Sequence, residues 1–273
     1  MQLRRWAAAC LPTPVKRAIR ELVCGPASPA VPVGTGDSFP LARLREAPGC
    51  EIEIVPGDII SDAISATGVW EEELSARLVQ IARRDGGTMV EVGANIGYFS
   101  VLWAAQGPAC RVLAFEPSWR NLPLLHRNIT RNGLSERVDI LPVAASHSVG
   151  IVRFDPGPAE QTGWGGIVTS SHSGTVAVAT VPLDALLPAE MQITVLKIDV
   201  EGADTWVLEG CRELLRSRRV ARVFYEQNHP RMAALGIAPS AAQSFLASVG
   251  YRTEPLTSTT HEVVEWEAYP ATD

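Results

Sequence analysis

MVEVGANIGYFS, residues 89–100, decides the fold. An apolar run ends at Val92, then Gly93, Asn95 and Gly97 make a turn, and helix-forming residues begin at Tyr98. Glycines belong where backbone passes so close to a ligand that a Cβ would collide. A helix opening at once after such a turn offers unpaired N–H groups and positive potential at its start. A dinucleotide-binding turn carries a third glycine that this stretch lacks, and Glu91, two residues before Gly93, would repel a pyrophosphate. An acid at that position suits an ammonium group instead.

Reading outward, RVLAFE at 111–116 is a second apolar strand whose last residue, Glu116, can accept both hydroxyls of a ribose. Two acids around one glycine turn fit a cationic amino-acid nucleoside. S-adenosylmethionine matches that description better than a nicotinamide dinucleotide does. NLPLLHRNITRNG (121–133) reads as a helix closed by Gly133, and VDILPVAA (138–145) as a third strand. TVLKIDV (194–200) is an almost wholly apolar fourth strand, WVLEGCRELLRS (206–217) its helix, and ARVFYEQ (221–227) a fifth strand. PSAAQSFLASVG is the next helix, and YRTEPL with EVVEWEAY predicts a terminal hairpin. This alternation predicts an α/β fold of right-handed βαβ units around a parallel sheet.

Two segments break the rhythm. Residues 148–182 hold GIVRF and TVAVATV around the glycine-rich loop QTGWGGIVTSSHSG, which reads as an antiparallel insertion; Asp184 just after it is expected to cap a short helix. The first 69 residues read as an extension and linker, with a short helix at VKRAIRELV and a strand at EIEIVPGD that turns Glu51 and Glu53 outward. Trp70–Arg84 is an amphipathic helix with Leu74, Ala76, Leu78 and Ile81 inward, opened by the acidic triplet Glu71 to Glu73. The main domain is thus expected over 70–273.

Composition narrows the class. The chain of 273 residues is 46% hydrophobic and 20% charged, which excludes wholesale disorder. A formal charge of −6 argues against a nucleic-acid partner. Five scattered cysteines with no C-x-x-C pair predict neither a disulfide framework nor a zinc site, and point to a reducing, cytoplasmic setting. No apolar run reaches the ~20 residues of a membrane span, and six apolar residues after the N-terminal arginines are too few for a signal peptide. Oligomeric state is unreadable.

The sequence resembles the FkbM-type family of class I S-adenosylmethionine-dependent methyltransferases. The resemblance is carried by VEVGANIGYFS at 90–100, AFEP at 114–117, LLHRN at 124–128, Leu183–Asp184 and LKIDVEGADTWVLEG at 196–210, and covers roughly residues 70–250. It implies a Rossmann-like, seven-stranded, mostly parallel sheet with the hairpin at its end. It also implies S-adenosyl-L-methionine across the carboxyl ends of the first strands. On that resemblance Gly93, Asn95 and Gly97 line its methionine part, Glu91 lies near its amine, Glu116 holds its ribose and Tyr98 packs beside it. The implied reaction is O-methylation of a small hydroxylated acceptor such as a sugar, lipid or polyketide-type natural product. An NAD-dependent oxidoreductase and a non-catalytic nucleotide-binding protein are the rival readings.

A hydroxyl acceptor needs a base as its C–O bond forms. Candidates at strand carboxyl ends are Asp199, which also suits cofactor contact or an N-cap, and Glu226 and His229. No metal is expected, although Asp199, Glu226 and Asn228 are oxygen ligands of the kind magnesium prefers. Lys197, inside an apolar strand, requires an acidic partner, and Glu201 offers one. Trp164 and His172 sit on the insertion loop, which either covers an acceptor or forms an exposed tip. Trp70 and Glu71 either face solvent or approach the cofactor.

Overall fold

The computed structural model describes residues 39–258 and 262–271. The helix expected at VKRAIRELV, and His261, lie outside them. Seven strands make the central sheet: β3 (Thr88–Val92), β4 (Arg111–Phe115), β5 (Val138–Leu141), β10 (Ile193–Ile198), β11 (Val220–Asn228), β12 (Tyr251–Ser258) and β13 (Val263–Pro270). Their order is β12-β13-β11-β10-β3-β4-β5. The five from β11 to β5 run parallel; β13 joins β11 antiparallel and pairs with β12 as a hairpin. The chain moves one way from β3 and the other way from β10. The crevice beyond their adjacent carboxyl ends is therefore a topological switch point, where such sheets bind ligands.

Both faces are covered, which is why the parallel strands are largely apolar. Val90, Val92, Leu113, Phe115, Leu196 and Ile198 pack on one side with α6 (Asp204–Glu209), α7 (Arg212–Arg216) and α9 (Ala241–Ser248). Met89, Val112, Ala114, Val195 and Phe224 pack on the other with α2 (Glu72–Asp85), α3 (Tyr98–Ala105) and α4 (Leu122–Arg131). The described part of the first 69 residues shares this second core. Ala42 of β1 (Leu41–Arg43), Ile52 of β2 (Glu51–Glu53) and Ile64 of α1 (Ile59–Thr67) join it.

Several local expectations change. Glu53 is buried rather than outward, because Arg127 and Arg131 of α4 reach it at 2.6 and 3.0 Å. Burial pushes its carboxyl up, but the two guanidiniums outweigh that and hold it below its ordinary range. On α2, Val79 is buried and Ala76 is exposed. The third strand divides after Leu141; its tail, β6 (Ala144–Ala145), leaves the main sheet and pairs with β9 (Val176–Val181). With β7 (Gly150–Asp155) and β8 (Gly166–Val168) these form a separate four-stranded sheet, order β6-β9-β7-β8. Asp184 lies within the first turn of α5 (Leu183–Leu186) rather than capping it. Its carboxylate instead accepts from the backbone N–H groups of Glu213 and Leu214, at 2.8 and 2.9 Å. The helix expected at 206–217 is two, α6 and α7, parted at Gly210. A Cβ there would strike the carbonyl of Ser146 and sit 3.3 Å from Pro182 Cα, so backbone meets backbone.

Gly210→Ala should therefore destabilise the fold by about 1–3 kcal/mol, as overpacking does. Urea unfolding monitored by circular dichroism measures it; an unchanged midpoint would show that the two segments separate freely.

Candidate active site

The turn after β3 is built by close approach. Gly93 has φ +89°, and a Cβ on it would run into the carbonyl oxygen of Asp199, where β10 ends. The turn and the end of β10 thus lie in contact, and only glycine permits it. Gly93 and Ala94 donate their N–H groups to Phe115's carbonyl at 2.9 and 3.0 Å, locking the turn to β4. Glu116 completes it, accepting the N–H groups of Asn95 and Ser118, each at 2.7 Å.

A cavity of about 160 Å³ opens above this junction. Gly93, Asn95, Glu116, Asp199 and Glu226 line it, as do Trp70 and Glu71. Its far wall is the insertion, Gln161 to Ile167, with Phe154 behind. The loop is anchored, not loose. Asp58 Oδ1 accepts the N–H of Thr162 at 2.9 Å, Asn121 donates to Thr162's carbonyl at 3.0 Å, and Arg231 donates to Trp164's carbonyl at 3.0 Å. Trp164 lines the cavity and remains 47% exposed, with exposed Ile59 also on the lining. His172 lies apart, bonded to Asp155 at 3.0 Å.

The wall is one-sided in charge: Asp58, Glu71, Glu116, Asp199, Glu201 and Glu226 line it, and among the described residues no Lys, Arg or His does. Lys197 lies behind the wall, 3% exposed, its Nζ 3.1 Å from Asp199 and 4.5 Å from the centre of the Phe99 ring. Burial would lower its pKa, but Asp199, Glu71, Glu91 and Glu265 together raise it. The carboxyls are correspondingly uncomfortable. Burial pushes Glu116 up to about 7 despite its two N–H donors. It pushes Glu201 to about 7 as well, helped by Asp199. Glu226 goes to about 10, through burial and then the charges of Asp199, Asp204 and Glu201. Asn95 Oδ1 is buried with no partner. Of the four non-glycine residues with left-handed backbone among the described residues, Glu71, Asn95 and Glu201 are on this wall. Such conformations cluster at functional sites.

Four sequence candidates sit elsewhere. Glu91 is buried beneath the turn, where Ser100 Oγ donates to it, and burial holds it at about 7. Gly97 makes room for Leu125. Tyr98 is buried with its hydroxyl 3.0 Å from Ser75 Oγ in α2. His229 begins α8 (His229–Ala234), donates its backbone N–H to Glu262's carbonyl and does not reach the cavity. Asp199 does not cap the next helix, whose N-cap is Ala203. Glu201 pairs with Asn228 at 3.1 Å and Arg231 at 3.6 Å rather than with Lys197. Asn228 is thereby occupied, and among the described residues no group of three or more His, Cys, Asp and Glu is placed to hold a metal ion. Asp58 was invisible in sequence because its partners lie in the insertion. Glu71 was obscured by the acidic triplet: Glu72 and Glu73 are exposed, while φ +44° turns Glu71 toward the cavity.

A parallel sheet with a glycine turn at its switch point and an acid-lined cavity above it defines a Rossmann-like α/β fold. Residues 91–253 match the methyltransferase FkbM domain, and the chain belongs to that family. A curated relative, the hexuronic acid methyltransferase AglP of Haloferax volcanii, is 27% identical over 151 residues. That match covers 54% of this chain, and the chain spans 59% of the relative's length. Among solved structures, an O-methyltransferase of Thermotoga maritima is 15% identical, covering 75% of this chain and 67% of that one, TM-score 0.47. Precorrin-6y C5,15-methyltransferase of Geobacter metallireducens is 14% identical, covering 74% and 90%, TM-score 0.45. No helix among the described residues is long and apolar enough to cross a membrane.

A pH dependence follows. Burial holds Glu116 and Glu201 near 7, and a cation beside them would lower both, so its binding would expel protons. Affinity for S-adenosylmethionine should then rise from about pH 6 to about pH 8. Calorimetry in buffers of different ionisation enthalpy reads the released protons; a pH-independent affinity with none released would contradict it.

Proposed function

We propose that the protein transfers a methyl group from S-adenosylmethionine to a hydroxyl of a small, uncharged acceptor: a sugar, lipid or polyketide-type natural product. The observation that carries this is a cavity that six carboxyl groups line and, among the described residues, no cation does. The cofactor brings a sulfonium and an ammonium against one carboxylate, so its net charge matches the wall. The partnerless Oδ1 of Asn95 offers an acceptor to its amine. Glu116 spends one lone pair of each oxygen on the turn and keeps the others for two ribose hydroxyls. Asp199, 3.1 Å from Lys197 Nζ, contributes a further carboxyl to the lining. Glu91, Gly97 and Tyr98 act behind the wall, holding the turn and α3 in place.

When bound, the cofactor supplies the electrophilic methyl group; the protein's part is alignment. Trp164, exposed at the mouth on a pinned loop, gives an acceptor a flat apolar face against which to stack. The same negative wall would repel an anionic acceptor, which favours a neutral hydroxyl over an ionised acid. The relative's name gives a hexuronic acid, which supports the carbohydrate class; its carboxylate sets it apart from the neutral acceptor proposed for this cavity. We also propose 70–273 as the methyltransferase domain, with 148–182 as its acceptor-side insertion.

Labelled S-adenosylmethionine offered with neutral glycosides, hydroxylated lipids and polyketides tests the reading; label transferred only to amines or thiols would refute it. Glu116→Ala should weaken S-adenosylhomocysteine binding by about 1–3 kcal/mol, the range for a charged hydrogen bond. Unchanged titration would remove Glu116 from the ribose. His229→Ala should leave turnover within about 3-fold of wild type, since the histidine is outside the cavity. A loss approaching 100-fold would restore it as the base.

A further inference from the structure

We propose that Asp58, on the N-terminal extension, is a positioning residue that latches residues 161–164 over the crevice and so slows escape of the bound cofactor. The proposal goes beyond the O-methyl reading and needs only that S-adenosylmethionine or its product occupies the cavity. Asp58 is 1% exposed, and its carboxylate accepts four hydrogen bonds. Two come from Ser61, whose N–H and Oγ lie 2.9 and 2.7 Å from Oδ2. Val55's N–H donates to the same Oγ at 3.0 Å, which leaves the hydroxyl proton to point at Asp58. The other two come from the insertion: Thr162 donates its N–H to Oδ1 at 2.9 Å and its hydroxyl to Oδ2 at 3.1 Å. One buried carboxylate thus ties the start of α1 to a loop 104 residues further along the chain.

The tie is reinforced on either side. Gln161 donates to Gly57's carbonyl at 2.9 Å and accepts Ile59's N–H at 3.3 Å. Upstream, Arg120 donates to Gly157's carbonyl at 2.7 Å. Asn121 and Arg231 give the loop one bond each, at Thr162 and Trp164, whereas Asp58 gives it two. Opposite the loop is the glycine turn. A Cβ on Gly163 would stand 3.7 Å from Asn95 Nδ2 and would strike Ile60 Cδ1, so loop and turn approach closely there. A cofactor held by Asn95 and Glu116 therefore lies between them. Lifting the loop opens its way out, and lifting breaks both of Thr162's bonds. Bonds to a buried charged acceptor are costly to leave unmade. Asp58 precedes residues 91–253, the stretch that matches the family, so that match assigns it no role.

Asp58→Asn separates the latch from the helix start. Asparagine caps a helix as well as aspartate does. With its oxygen in the place of Oδ2 it keeps both bonds from Ser61, but its NH2 then faces the N–H of Thr162, donor against donor. In the full chain, labelled S-adenosylhomocysteine chased with unlabelled should leave Asp58→Asn about 10-fold faster than wild type. Thr162→Val, which spares the helix start altogether, should quicken release by about 3-fold. The double variant should release no faster than Asp58→Asn, because the two residues share one latch. Without ligand, amide hydrogen exchange at 161–164 should quicken by about 10-fold in Asp58→Asn. Folded Asp58→Asn that releases label at the wild-type rate overturns the latch, as does unchanged exchange or an additive double variant. Wild type that binds no S-adenosylhomocysteine overturns the cavity's assignment to that cofactor, and the latch with it. The chase needs no acceptor, so its outcome is separate from that of the O-methyl reading.

Discussion

A single ammonium group, Lys197 Nζ, is buried in a ring of carboxyls contributed by four neighbouring strands and a helix start. Glu91 stands beside it in register on β3, and Asp199, Glu226 and Glu265 continue the same face toward the strand ends. A buried ammonium is tolerable only with acidic partners. Here the partners outnumber it, and the surplus negative charge faces the crevice. The cavity's preference for a cation is thus a by-product of how one lysine is solvated inside a parallel sheet. The same surplus costs stability. Carboxyls raised to about 7 favour the folded state when protonated, and that advantage is lost as pH rises from the ordinary carboxylate range through 7.

Strain and charge are concentrated together. Glu71, Asn95 and Glu201 all hold left-handed backbone on the cavity wall, and Gly93 lets two chain segments touch at its floor. The surrounding core is conventionally apolar on both sheet faces. Local rules are broken where the chemistry is placed and kept elsewhere.

How much of this was legible in sequence depended on range. The turn at 93–97 and the strands around it are local, so period, glycine spacing and the acid at Glu116 were enough to read them. Misreadings came from contacts far apart in the chain. Glu53 looks outward by alternation, yet Arg127 and Arg131 bury it. The helix at 206–217 breaks because Gly210 meets Ser146. Asp184 serves a different helix from the one it adjoins. His229 has suitable chemistry at a suitable strand end, but the chain turns it out of the crevice. Alternation cannot show such a turn, and the same blindness hid Glu71 among its exposed neighbours.

The cavity wall opposite the glycine turn is made by a small sheet of its own, β6 to β9, fastened to the body through Asp58, Asn121 and Arg231. Floor and far wall of the cavity therefore come from separate stretches of chain. On the reading proposed above, exchange of residues 157–166 would change which molecule is decorated while leaving the nucleoside end intact, a division of labour by which one scaffold diversifies its chemistry through a hairpin.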